Sequence, residues 1–139
     1  MAKNQEMHDF KVVVLGVIFD PKTKKILIGK REQDPSVKKI TWCFPGGRLN
    51  IDENPEEALK KRINEKTGLD IESLGCVLAR TFPERKDMLL SYFLCEITGG
   101  KPKAKGNLTQ LKWVSPDELE KHFTTSFHPH LKEYVMNLK

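Results

Sequence analysis

The residues best suited to chemistry lie between Phe44 and Leu69. They are Gly46-Gly47, Glu53, and the trio Arg62, Glu65 and Lys66 on a segment that reads as a helix. At ~100° per residue, positions i, i+3 and i+4 fall within an arc of roughly 100°, so the trio shares one helix face. That face carries two cations and one carboxylate. Arginine and lysine neutralise phosphate oxygens through charge-assisted hydrogen bonds. A Gly-Gly backbone lets such a ligand approach closely, because it has no Cβ. Arg62, Lys66, Gly47 and, at the end of an upstream strand, Arg31 are therefore candidate phosphate contacts. The competing readings are a solvated helix face for Arg62 and Lys66, and a surface arginine for Arg31. Glu57, Lys61 and Glu65 step by four, which predicts a salt-bridged stripe worth a few tenths of a kcal/mol per pair, roughly.

These residues need elements to hold them. Val12 to Phe19 is apolar throughout and predicts a buried strand. Asp20-Pro21-Lys22-Thr23-Lys24-Lys25 is a turn, and Ile26-Leu27-Ile28 resumes a strand, making a hairpin. Lys30 to Lys39 reads as a charged loop and Thr41 to Phe44 as a short strand that Pro45-Gly46-Gly47 breaks. Asn54, Pro55 and Glu57 form a helix start with a capping box, and Gly68 is placed as its C-terminal cap. Leu59 and Ile63, four apart, face a core. Cys76 to Phe82 and Leu89 to Ile97 predict strands, Gly99 to Asn107 a basic loop, and Leu111 to Val114 a short strand. Ser115-Pro116-Asp117-Glu118 opens a second helix with Ser115 as cap and Glu118 closing a box, and Pro129 to Leu138 forms a third. Strands alternating with a few helices give one α/β (α+β) domain over residues 10–139, behind a loose polar arm at 1–9.

The segment resembles the Nudix hydrolase family, whose box is G-x5-E-x7-R-E-U-x-E-E-x-G-U with U a bulky aliphatic residue. Counted from Gly47, the pattern is met at Glu53, Ile63, Glu65, Gly68 and Leu69. The lead-in Trp42 to Gly47, the run Leu27-Ile28-Gly29-Lys30-Arg31 and the run Trp113 to Leu119 are also similar to the family. The likeness covers about residues 10 to 135. It implies a mixed sheet sandwiched between helices. It also implies cleavage of a diphosphate that links a nucleoside to another group, with Mg²⁺ or Mn²⁺ held mainly by helix glutamates. Carried over, the metal ligands are Glu65, Glu53 and the Gly46 carbonyl, with Glu65 and Glu53 as the catalytic residues. The partner would be a small nucleoside diphosphate derivative, and the family's frequent dimers leave a homodimer open.

Three box positions depart from the pattern. Lys61-Arg62 stands where the family has Arg-Glu, and Lys66 stands where it has a second glutamate. The charge of the Arg62, Glu65, Lys66 face is +1 instead of the family's −3. Two unit charges ~4 Å apart interact by roughly 4 kcal/mol at an effective dielectric of ~20, so a dication beside both cations is repelled on that scale. Glu84 and Asp87 are the remaining acids that could replace a lost ligand. Three functions follow: a hydrolase that is weak or inactive, a nucleotide- or phosphate-binding module that needs no metal, and a partner-binding domain that reuses the fold.

Composition excludes other classes. The chain has 139 residues, 38% of them hydrophobic and 31% charged, with net charge +5. That suits one charge-coated globular domain. The excess is scattered and aromatics do not interleave with it, so no specific nucleic-acid partner is expected. No apolar run approaches the ~20 residues of a membrane span. Without a signal segment, a cytoplasmic location is expected. Cys43, Cys76 and Cys95 are odd in number, form no C-x-x-C pair and lie in apolar contexts that suit small core residues. His128-Pro129-His130 suits a turn better than a metal site. Phe82, Tyr92 and Phe93 are expected in the core.

Overall fold

The computed structural model describes residues 10–31, 42–124 and 127–138. The expected arm at 1–9 and most of the expected charged loop at 30–39 lie outside these. Strand β1 (Lys11–Asp20) is central. Its run from Val12 to Phe19 shows no polar alternation because both faces are covered. Val13, Val17 and Phe19 enter one core, and Val14 and Ile18 the other, as the two-residue repeat of a strand requires.

The chain continues through β2 (Lys25–Lys30), β3 (Trp42–Cys43), β4 (Gly46–Arg48), α1 (Pro55–Thr67), β5 (Leu69–Phe82), β6 (Arg85–Gly100) and β7 (Gln110–Val114). It ends with α2 (Pro116–Leu119), a 3-10 turn at Glu120–His122 and α3 (Pro129–Met136). The strands form a mixed sheet in the order β3-β2-β1-β6-β5, with β4 also on β1 and β7 on β2. β1 and β6 run parallel from Lys11↔Met88 to Ile18↔Cys95, and the other pairings are antiparallel. One face packs under α1 through Ala58, Leu59 and Ile63, and the other meets Leu119, Leu131 and Val135 of α2 and α3. Phe82, Tyr92 and Phe93 are buried in these cores.

Helix α1 has the Asn54 and Gly68 caps its sequence predicts, but among the described residues no bond from the Asn54 amide to the Glu57 side chain closes the expected box. The Asn54 side chain accepts from the amides of Glu56 and Glu57 at 3.0 and 3.2 Å. Pro55 occupies the first turn, where its missing N–H is not needed. Gly68 ends the helix with φ 75°, and its amide donates to the Asn64 carbonyl at 3.0 Å.

Five expectations are corrected. The break after β3 falls at Phe44-Pro45 as expected, but Gly46-Gly47 is itself strand, because Gly46–Arg48 is β4, paired through Val13↔Arg48, Val14↔Gly47 and Leu15↔Gly46. A Cβ on Gly46 would sit 2.0 Å from the Val14 carbonyl oxygen, so the residue that looked like a breaker is what lets β4 lie against β1. Strands β5 and β6 are longer than expected, since Asp70 and Glu72 are the exposed alternates of buried Leu69 and Ile71. The Ser115 side chain makes no cap bond, and α2 is four residues long before it tightens into the 3-10 turn. Cys95 is buried, which pushes its thiol up to about 12, but Cys76 faces solvent from β5. The Glu57, Lys61, Glu65 stripe is not among the ion pairs of the described residues. The charges of α1 reach across to β5 instead: Lys60 meets Glu72 at 3.4 Å, and Ser73 donates to Glu56 at 2.6 Å. His128 caps α3, its ring Nδ1 accepting the His130 amide at 3.1 Å.

No helix of the described residues is long and apolar enough to cross a membrane.

Candidate functional site

Strand β4, the loop after it and the inner face of α1 bring the box residues together. Asn50 and Glu53 close the loop: the Asn50 amide donates to Glu53 Oε1 at 2.9 Å. Arg62 Nη2 donates to the same oxygen at 2.7 Å, and Arg62 Nε donates to the Arg48 carbonyl at 3.2 Å. The guanidinium thus joins β4 to the loop. The Asn50 amide and then the Arg62 bond and charge hold the Glu53 carboxyl below its ordinary value.

Lys66, one turn along, donates from Nζ to the Gly46 carbonyl at 2.5 Å. Burial lowers its pKa first, and the positive charges of Arg31 and Arg62 lower it further, while Glu65 acts in the opposite sense. The two cationic side chains need room over the strand, and Gly47 supplies it. A Cβ there would stand 3.1 Å from Arg62 Cδ and 3.5 Å from Lys66 Nζ.

The structure therefore joins Glu53 to Arg62 and Gly46 to Lys66, with Gly47 beneath both. Arg31 stands at the end of β2, near enough for its charge to act on Lys66. Glu65 is exposed on α1. Sequence reasoning missed the Arg48 carbonyl and the Asn50 amide, because a backbone group carries no residue signal. It also gave the 101–105 loop no place. The amides of Lys103 and Lys105 donate to the carbonyls of Thr67 and Lys66 at 2.8 and 2.9 Å, so that loop sits on the end of α1.

A divalent cation needs several free oxygen donors. Of the three donors the resemblance suggests, Glu53 holds a guanidinium and the Gly46 carbonyl holds an ammonium. Among the described residues, no group of three or more His, Cys, Asp or Glu is placed to hold a metal ion. The donor set as folded does not fit a divalent cation.

Of the two remaining acids, Asp87 lies outside this cluster. Glu84 lies in the turn between β5 and β6, where its charge acts on Tyr92. Asp87 accepts from Arg85 Nε and Nη2 at 2.9 and 2.8 Å and lies 3.7 Å from the Lys11 ammonium. It is placed beside Lys11, whereas Gly46 pairs with Leu15. Four residues of strand separate these points, roughly 13 Å.

The Arg85 bonds lower the Asp87 pKa to about 2. A carboxyl lowered on folding stabilises the fold above its unfolded value and loses that contribution as pH falls through the folded one. Asp87→Asn should therefore lower the melting temperature at neutral pH. The gap to the native chain should close as pH falls from 3.8 to about 2. Melting curves across that range check it, and a gap that persists at pH 2 contradicts the assignment.

Comparison with known proteins follows the same lines. The NUDIX domain model matches residues 9–135. An 8-oxo-dGTP diphosphatase of Proteus vulgaris is 36% identical over 96 residues, covering 68% of this chain and 80% of that protein. A MutT-like protein of Streptomyces ambofaciens is 31% identical over 81 residues, 57% of this chain, which spans about half (51%) of that relative's length. A NUDIX hydrolase structure from Nitrosomonas europaea superposes with TM-score 0.75 at 17% identity, over 93% of this chain and 72% of that one. The family match runs over nearly the whole sequence, and this chain belongs to the Nudix hydrolase family.

Proposed function

We propose that this chain recognises a nucleoside diphosphate linked to another group, and that it cleaves the diphosphate slowly or not at all. The observation that carries this reading is the Lys66 ammonium on the Gly46 carbonyl, with Arg62 on Glu53 beside it. Cationic side chains stand on two of the donor atoms that a metal-loaded box would use. Both are preorganised, and both are basic groups that bond phosphate oxygens strongly. A diphosphate over β4 would meet the Gly47 backbone at close range and take bonds from Lys66 and Arg62. An anion there would also draw the Lys66 amine back toward its ordinary pKa.

Hydrolysis asks for more than binding. A water must be deprotonated and aimed at phosphorus while the attacked group's negative charge is neutralised. On the Arg62, Glu65, Lys66 face the one carboxylate is Glu65, and Glu53 is already bonded to Arg62. The cations can neutralise, but little is left to act as base.

Calorimetric titration of nucleoside diphosphates and their sugar-linked derivatives, with and without EDTA, tests the reading. Binding should survive the chelator. Lys66→Met or Arg62→Met should each weaken it about tenfold or more, the scale of a hydrogen bond to a charged group. Brisk turnover with Mg²⁺ or Mn²⁺ and no binding under EDTA would overturn it in favour of a working hydrolase.

A further inference from the structure

Helix α3 is capped by a histidine and has no acidic residue in its first turn, whereas α1 has Glu56 and Glu57 there. His128 Nδ1 accepts the His130 amide at 3.1 Å, so the cap bond uses the neutral ring with its proton on Nε2. A ring protonated on both nitrogens has no acceptor left. The charges that act on His128 are Arg80 of β5 and His130 of α3 itself, whose ring centroid lies 5.1 Å away. Neither is an acid that could offset a charge on His128. Desolvation first, and then these two, hold His128 below its ordinary pKa of 6.5.

Protonation at this one ring acts twice. It removes the cap bond, and it adds positive charge at the positive end of the helix dipole, where no carboxylate stands. A helix of eight residues does not hold together in water by itself. It depends on Leu131 and Val135, buried against the sheet, and on the Lys132 ammonium, 2.9 Å from Glu120 of the 3-10 turn. Just before the cap, Phe127 packs on Phe44 and Phe123, with ring centroids 6.3 and 5.2 Å apart. The same core holds Val13, Val17 and Tyr92 of the sheet.

We propose that α3 is a latch loosened by acid: protonation of the His128 ring makes α3 and Phe127 open from the sheet more often, while the sheet and α1 stay folded. The open form presents apolar sheet residues that the neutral latch covers. A histidine held low on folding stabilises above its unfolded value and loses that contribution as pH falls through the folded one. The latch therefore holds at neutral pH and weakens below it. It does not depend on the phosphate reading of Lys66 and Arg62.

Hydrogen–deuterium exchange of the full chain, corrected for the intrinsic pH dependence of exchange, reads the opening. From about pH 7.5 to about pH 5, protection of the amides from Leu131 to Met136 should fall about tenfold, the scale of one cap and one dipole interaction together. Protection from Leu59 to Ile63 in α1 should hold within about twofold. His128→Asn keeps a capping oxygen that does not titrate, so its α3 protection should not change with pH. His128→Ala has no cap and should show low α3 protection at both pH values. In the native chain the His128 ring resonances should titrate over the same range as the loss. Native α3 protection that does not fall, or an equal fall in α1, overturns the latch. A fall that persists in His128→Asn also overturns it, and one that then disappears in His130→Asn assigns the effect to the wrong ring. If a melting curve shows that a variant has not folded, the native chain decides: coincident midpoints for the ring titration and the protection loss support the latch, and separate midpoints overturn it.

Discussion

Arg62→Glu with Lys66→Glu is expected to turn a chain indifferent to divalent cations into one that they stabilise. The native face of Arg62, Glu65 and Lys66 carries charge +1, and the double variant carries −3. Removing Lys66 releases the Gly46 carbonyl, and removing Arg62 releases the Glu53 carboxylate. Both are oxygens that a hard cation accepts. Without metal the variant gathers glutamates at 53, 62, 65 and 66, loses an ion pair that is largely shielded from water, and should melt below the native chain. Millimolar Mn²⁺ should restore it. A ligand at 100 times its Kd adds about 2.7 kcal/mol, which for a domain of this size is several degrees in Tm. The native chain should not shift. Nucleoside monophosphate should also appear from nucleoside diphosphate derivatives in the variant with Mn²⁺ present. A double variant whose melting ignores Mn²⁺ would show that the two cations are not what excludes the metal.

The second large effect is expected at Gly46. In Gly46→Ala the new methyl group would fall 2.0 Å from the Val14 carbonyl oxygen and 2.9 Å from Leu15 Cα. Both are backbone atoms of the central strand and cannot turn aside as a side chain would. Either β4 leaves β1, or β1 bends within two packed cores. A loss of about 3 kcal/mol or more follows, a large part of a typical domain's stability. Gly75→Ala is the control. Gly75 has φ 121°, a conformation that side chains rarely adopt, but a Cβ there meets nothing within 4 Å. Its cost should be backbone strain alone, about 1–2 kcal/mol. Urea unfolding of both variants separates lack of space from lack of conformational freedom. If Gly46→Ala is no worse than Gly75→Ala, β4 does not press on β1 as described.

These residues also mark where local information ends. The sequence by itself determined β1, the hairpin into β2, the two caps of α1, and the inward placement of Leu59 and Ile63. Each depends on a period or a capping residue within a window of one element. The face shared by Arg62, Glu65 and Lys66 was legible for the same reason, since helix geometry is local. Only the tertiary structure decided what that face meets. Lys66 finds its acceptor on a carbonyl twenty residues back, and Arg62 finds Arg48 and Glu53 across a loop. The same holds for Gly46, read as a breaker until β1 supplies the strand it lies against, and for Cys76, apolar in context but turned outward on β5. The 101–105 loop is basic in sequence and gains a place only when its amides bond the end of α1. Partners that meet through folding are chosen by sheet register and by the free backbone groups on offer, and neither is written in the residues nearby.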